Sequence, residues 1–156
     1  MKVSFMKVSA GLLMFKRVDG ILKVFIVHPG GPFWTNKDIG AWSIPKGEIE
    51  ENEYKSLDVA IREFKEETGF STSEPYIPLG IICQKSGKIV IAWAFEGNCD
   101  PSLMKSNMIE INYPPNSDKK ITIPEVDKGE YFEIEEAKKK INVAQVTFLE
   151  RLQKIL

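Results

Sequence analysis

Apolar positions along this chain follow two different periods, and the change between them locates the elements. Val8 to Phe15 and Leu22 to Val27 are short apolar runs, and the segment between them carries the turn signal Asp19-Gly20. Together they predict a β-hairpin. An irregular loop, HPGGPFWTNKDIG, follows. Ala41 to Ile44 predicts a short strand, and PKGEIEENE leaves it through Pro45 and Gly47 as an ordered loop. From Leu57 the period becomes helical: Leu57, Ala60, Ile61 and Phe64 share a stripe, and Gly69 supplies a stop, which predicts a helix over 56–68.

Further along, YIPLGIICQ and KIVIAWAFEG flank a Lys-Ser-Gly-Lys turn and predict a second hairpin, while MIEINYPP and EYFEI predict further short strands. Ala137, Ile141, Val146, Leu149, Leu152 and Ile155 recur mostly at three- and four-residue steps, so Glu135 to Leu156 predicts a C-terminal helix. Strands before and after one helix, closed by a second, predict a mixed β-sheet flanked by helices. No linker or low-complexity stretch divides residues 1–156, so a single domain is expected.

Composition narrows the partners. The 156 residues, 43% of them hydrophobic, suffice for a proper core. Twenty-one basic against twenty-two acidic residues argue against a nucleic-acid footprint or a polybasic membrane patch. Cys83 and Cys99 lack close Cys or His partners, so neither a zinc site nor a disulfide framework is expected and a reducing, cytoplasmic setting fits best. The N-terminal MKVSFMKVSAGLLMF is too interrupted by Lys and Ser for a signal peptide, and no run approaches a membrane span.

Candidate chemistry lies in IREFKEETGF, Ile61 to Phe70. On the predicted helix Glu63 sits beside Glu66 and Glu67, and each like-charge pair costs a few tenths of a kcal/mol. The apolar stripe can pack on the sheet while the carboxylates gather on another flank. Hard oxygen ligands at this density suit Mg²⁺ or Mn²⁺ working beside substrate phosphates.

With its upstream loop the stretch reads GEIEENEYKSLDVAIREFKEETGF, and it resembles the Nudix box of hydrolases that act on nucleoside diphosphates linked to another moiety. Gly47, Glu53, Arg62, Glu63, Glu66, Glu67 and Gly69 match that pattern in order, and WSIPK resembles the segment that leads into it. Two departures stand out. Eight residues, where the pattern has seven, separate Glu53 from Arg62, and Phe64 and Phe70 occupy aliphatic positions. An extra residue inside a helix would rotate one half of the motif by about 100° against the other, so it is assigned to the loop around Tyr54 to Ser56.

The resemblance implies a Nudix-like α/β/α sandwich and Mg²⁺-dependent hydrolysis of a pyrophosphate bond. It implies that Glu63, Glu66 and Glu67 are metal ligands, with the Lys46 carbonyl as a further one, and that Arg62 holds a loop carboxylate such as Glu53. The general base is implied to be a box glutamate or a carboxylate on a later loop; Glu125 in IPEVDKGEYF is the candidate, with Glu110 and Asp127 as competitors. His28, the single histidine, is a loop hydrogen-bonding residue or a substrate contact. Phe33, Trp34 and Trp42 form a wall for a nucleobase or belong to the core. Lys37, Lys46 and Lys88 are candidate phosphate contacts. VHPGGPFW and the later PEVDKGEYF resemble a branch near the dinucleoside-polyphosphate hydrolases, which makes those compounds, then nucleoside triphosphates, the expected small-molecule substrates. A non-nucleotide diphosphate as substrate and a non-catalytic nucleotide-sensing module are the alternatives.

Overall fold

The computed structural model describes residues 7–52 and 55–156. Its central sheet is built around β1 (Val8–Val18), which turns at Asp19-Gly20 into β2 (Ile21–Pro29). β3 (Lys46–Glu48) precedes α1 (Ser56–Thr68), and β4 (Ile77–Cys83) and β5 (Ile89–Glu96) form the second hairpin. A separate ribbon of β6 (Met108–Asn112) and β7 (Lys120–Pro124) leads into β8 (Val126–Glu133), followed by α2 (Ile134–Lys140) and α3 (Val146–Ile155). The order across the main sheet is β4-β5-β1-β2-β8, with β3 also pairing β1. β1 and β5 run parallel and the other pairs antiparallel, so the sheet is mixed as expected.

β1 explains why its sequence lacks strand-like alternation: both of its faces are covered. Leu13 and Phe15 face a core completed by Trp42, Phe148, Leu149 and Leu152 from the α2–α3 side. Ala10, Leu12 and Met14 face the opposite core with Val59, Ala60 and Phe64 of α1. α1 is thus pinned to the sheet by its apolar stripe. Phe64 is fully buried and meets Phe95 edge-on with ring centroids 5.2 Å apart, a geometry worth about 0.5–1.5 kcal/mol beyond burial itself. Gly69 ends the helix in the left-handed region, φ 77°, and donates its N–H to the Lys65 carbonyl. α1 runs unbroken from Ser56 to Thr68, and Tyr54, where the loop assigned to the extra residue begins, lies outside the described residues.

Three local expectations are corrected. The strand expected at Ala41 to Ile44 makes only isolated bridges, Ser43 to Val27 and Trp42 to Ile141, and the true strand is the next segment, Lys46–Glu48. Gly11 permits it: a methyl group there would lie 2.6 Å from the Pro45 carbonyl oxygen, so only a glycine lets the chain cross β1 so closely. The C-terminal helix is two helices, because Ile141 is drawn into extended backbone beside Trp42 and Asn142 restarts the chain by accepting the Ala144 N–H. β7 was absent from the expectation altogether; its Ile121 and Ile123 pair with Ile111 and Ile109.

Candidate active site

The C-terminal half of α1 carries Glu63 and Glu67 one turn apart on the flank that meets β3, and the start of β8 brings up Glu125. Each of the three offers a carboxylate oxygen within 4.8 Å of the others'. Glu67 is 4% exposed. It accepts the Lys46 N–H, and its Oε2 has no hydrogen-bond partner, an arrangement that disfavours the charged carboxylate in the empty site. Burial first, then Glu125 and Glu63, push the Glu67 carboxyl well above the ordinary glutamate value of 4.5. Burial and Glu66 raise Glu63 as well, with Arg62 opposing. Val27, Pro29, Ser43, Ile44, Lys46 and Val126 complete the walls of a cavity of about 170 Å³ over Glu67 and Glu125.

Gly47 makes room for Glu63. A methyl group there would sit 2.0 Å from the Glu63 carboxyl carbon, so the glycine that opens the box lets β3 and the acid share one space. Arg62 donates from Nη1 to Glu63 Oε1 at 3.1 Å and Glu66 Oε1 at 3.2 Å. Glu66 is 42% exposed at its side chain and does not join the three-carboxylate group, so the structure separates it from Glu63 and Glu67 among the expected ligands. Glu53 lies outside the described residues. Lys46 lines the cavity; burial and Lys88 lower its ammonium pKa, with Glu67, Glu48 and Glu125 opposing. Lys88 pairs with Glu48 at 3.4 Å.

The other expected contacts divide. Glu110 pairs with Lys120 on the ribbon, and Asp127 is taken by His28, which leaves Glu125 as the later-loop acid that reaches the helix. Trp42 is corrected from a nucleobase wall to a core residue: it is 2% exposed, its Nε1 donates to Asp38, and Phe132 stands edge-on at 5.2 Å. His28 is likewise buried, with Nδ1 2.9 Å from Asp127 Oδ1 and Nε2 2.6 Å from the Lys37 carbonyl. It ties down the loop and offers no free nitrogen to a substrate. Phe33 and Trp34 stay exposed on that loop, Phe33 against Tyr113 at 5.6 Å and Trp34 beneath Lys37 Nζ at 5.1 Å. The loop meets the site through the backbone, Gly30 donating its N–H to the Glu125 carbonyl at 3.0 Å.

Asn107 was missed. Its Nδ2 donates to Glu125 Oε1 at 3.0 Å, yet an Asn just before a predicted strand carries no signal beyond that of a turn residue.

The sequence profile of the Nudix domain matches residues 7–152, nearly the whole chain. The chain belongs to the Nudix family. An uncharacterised 17.7 kDa protein of Enterobacteria phage T4, from the e-segB intergenic region, is 34% identical over 128 residues, which span 81% of this chain and 82% of the relative. Among solved structures, a C. elegans Ap4A hydrolase binary complex superposes with a TM-score of 0.65 at 20% identity, covering 96% of this chain and 97% of the other. The Nudix domain of Shewanella oneidensis NrtR complexed with ADP ribose gives 0.69 at 13% identity, covering 98% and 90%. These likenesses establish the fold. Family membership makes the chain a Nudix-type pyrophosphohydrolase. No helix among the described residues is long and apolar enough to cross a membrane.

Two expected results follow from this Nudix geometry. Arg62→Lys keeps the charge but loses the planar fork that serves two carboxylates, so turnover should fall about tenfold with little change in melting temperature. Steady-state kinetics on the folded variant checks this, and unchanged kinetics would reduce Arg62 to a surface partner. The second concerns pH. The folded pKa values of Glu63 and Glu67 lie above the unfolded one, so the native chain binds more protons between the two. Their contribution is fully present below pH 4.5 and lost as pH rises through the folded values. A divalent cation bound among these carboxylates would take over the protons' role, so the rise in melting temperature on adding Mg²⁺ should grow with pH; a pH-independent rise would contradict this.

Proposed function

We propose that this Nudix enzyme hydrolyses a pyrophosphate bond in a nucleoside diphosphate derivative, with Mg²⁺ as the preferred cation and Mn²⁺ as a substitute. Dinucleoside polyphosphates are the leading substrate class and nucleoside triphosphates the next. The observation that carries the reading is the unpartnered Oε2 of buried Glu67, set among carboxylate oxygens within 4.8 Å. An all-oxygen, anionic donor set of this kind fits a hard divalent cation and leaves room for water and phosphate as further ligands.

Glu63, Glu67 and Glu125 would hold the cation, with Glu66 and the Lys46 carbonyl as the additional donors that the family resemblance implies. When bound there, the cation supplies charge neutralisation at the anhydride and acidifies water for attack on phosphorus. The chain's own groups do the rest. Lys46, half-buried beside Glu67 and Glu125, is placed to meet a phosphate oxygen with its ammonium. Arg62 keeps Glu63 and Glu66 from swinging apart. The carboxylates accept the proton that the attacking water releases, Glu125 being the one from outside the helix. Phe33 and Trp34 expose apolar faces on the loop that is bonded to the Glu125 carbonyl, a position suited to the nucleoside end of the substrate.

Two of the similar structures carry adenine nucleotides in their names, Ap4A and ADP ribose, each a nucleoside phosphate extended through an anhydride. That supports the substrate class and leaves the second moiety open. The deciding experiment is a screen of dinucleoside polyphosphates, nucleoside triphosphates, nucleotide sugars and non-nucleotide diphosphates with Mg²⁺ and with EDTA, in ¹⁸O-labelled water. The expected result is cation-dependent cleavage with label on one phosphate. Turnover only of a non-nucleotide diphosphate would overturn the nucleoside assignment, and tight binding without cleavage would identify a sensing module.

A further inference from the structure

We propose that Asn107 is a positioning residue that holds Glu125 in its ligand orientation and sets the affinity of the cation site. The proposal rests on the cation reading of the Glu63, Glu67 and Glu125 cluster. Asn107 stands where the catalytic helix, the ribbon and β8 meet. Its N–H donates to the Glu66 carbonyl at 2.9 Å, its carbonyl accepts the Glu125 N–H at 3.0 Å, and its side-chain Nδ2 donates to Glu125 Oε1 at 3.0 Å. The neighbouring Ser106 Oγ accepts the Val126 N–H at 3.1 Å. Backbone bonds thus fix where Asn107 is, and the amide fixes where the carboxylate points.

The need for such a group follows from electrostatics. Three carboxylates with oxygens within 4.8 Å repel one another, and Glu125, half-buried at the rim, is free of the helix packing that confines Glu67. Without a donor its side chain gains by turning to solvent, and each cation captured must first draw it back. A lysine or arginine in the same place would hold the carboxylate but bring a positive charge that competes with the cation. A neutral amide donates to one oxygen and leaves the other lone pairs for coordination. Partners of this kind outside the ligand set are worth about 10–100-fold in metal affinity.

Asn107→Leu keeps the size of the side chain and all of its backbone bonds while removing the donor. Manganese affinity of the full-length chain, read as free Mn²⁺ by electron paramagnetic resonance without substrate, should weaken about 10–100-fold. The melting temperature in EDTA should stay within a few degrees of the wild type, and saturating Mn²⁺ should restore much of kcat. In an Glu125→Gln background the same substitution should add little, because the residue acts through Glu125. Undiminished Mn²⁺ affinity in N107L overturns the proposal, as does an equal further loss in the E125Q background. A wild-type chain that binds no Mn²⁺ overturns it together with the cation reading. Asn107-dependent Mn²⁺ binding in a chain that cleaves no phosphoanhydride upholds it and overturns only the hydrolytic reading.

Discussion

Glu67→Gln should lower cation-dependent turnover by at least about 100-fold while leaving the metal-free chain as stable as the wild type or more so. The two halves of that result have one cause. Glu67 is buried with Oε2 unpartnered, and Glu125 and Glu63 raise the cost of its charge. A neutral amide of the same shape removes that cost from the empty site, and it removes the central anionic donor from the loaded one. Calorimetry in EDTA, with kinetics across a range of Mg²⁺, separates the halves. A variant that turns over normally at limiting Mg²⁺ would remove Glu67 from the site, whereas one that loses activity and melts early would make it a structural residue.

Gly47→Ala should be nearly as damaging, although it removes no functional group. The added methyl would lie 2.0 Å from the Glu63 carboxyl carbon and 2.3 and 2.4 Å from its oxygens. Either the Glu63 side chain leaves or β3 shifts away from α1. Expulsion of Glu63 predicts a fall in turnover of about 100-fold, close to that of Glu63→Ala, with overpacking costing about 1–3 kcal/mol of stability. Combining the two substitutions discriminates: once Glu63 is already alanine, the three nearest atoms in the methyl's way are gone, and the double variant should recover stability and lose little more activity. Full additivity would show that Gly47 serves the backbone instead.

What the sequence revealed followed from periodicity and from the box. α1 occupies the span expected of it because Leu57, Ala60, Ile61 and Phe64 make one stripe and Gly69 ends it, and both chemistry and packing fall on the same helix. Where pairing partners decide the structure, local pattern failed. Lys46–Glu48 is a strand because Gly11 lies opposite, thirty-five positions earlier, and Ile141 leaves the helical path for a bridge to Trp42. The site divides in the same way. Glu63 and Glu67 were visible as helix neighbours, and the box resemblance reached them directly. Their separation from Glu66 required the three-carboxylate geometry that Glu66 does not join, the arrival of Glu125 required the ribbon, and the exclusion of Trp42 and His28 required knowing which faces were buried.

The distance along the chain between Glu67 and Glu125 gives the cluster a second consequence. A cation held by both would clip together segments fifty-eight positions apart, spanning the second hairpin and the whole ribbon. An unfolded chain would have to close that loop before offering the same donors, at an entropic cost that grows with loop length. The clip therefore favours the folded form, by about 2.7 kcal/mol at a cation concentration 100 times the dissociation constant. Withdrawal of such a cation would loosen the β6–β7 ribbon, whose ties to the rest include Asn107, Glu125, the Phe33–Tyr113 contact and the packing of Ile123 against Gly31. Amide exchange in the ribbon should therefore slow when Mg²⁺ is added and quicken in EDTA, which would make the ribbon a place to watch the site load and empty apart from catalysis.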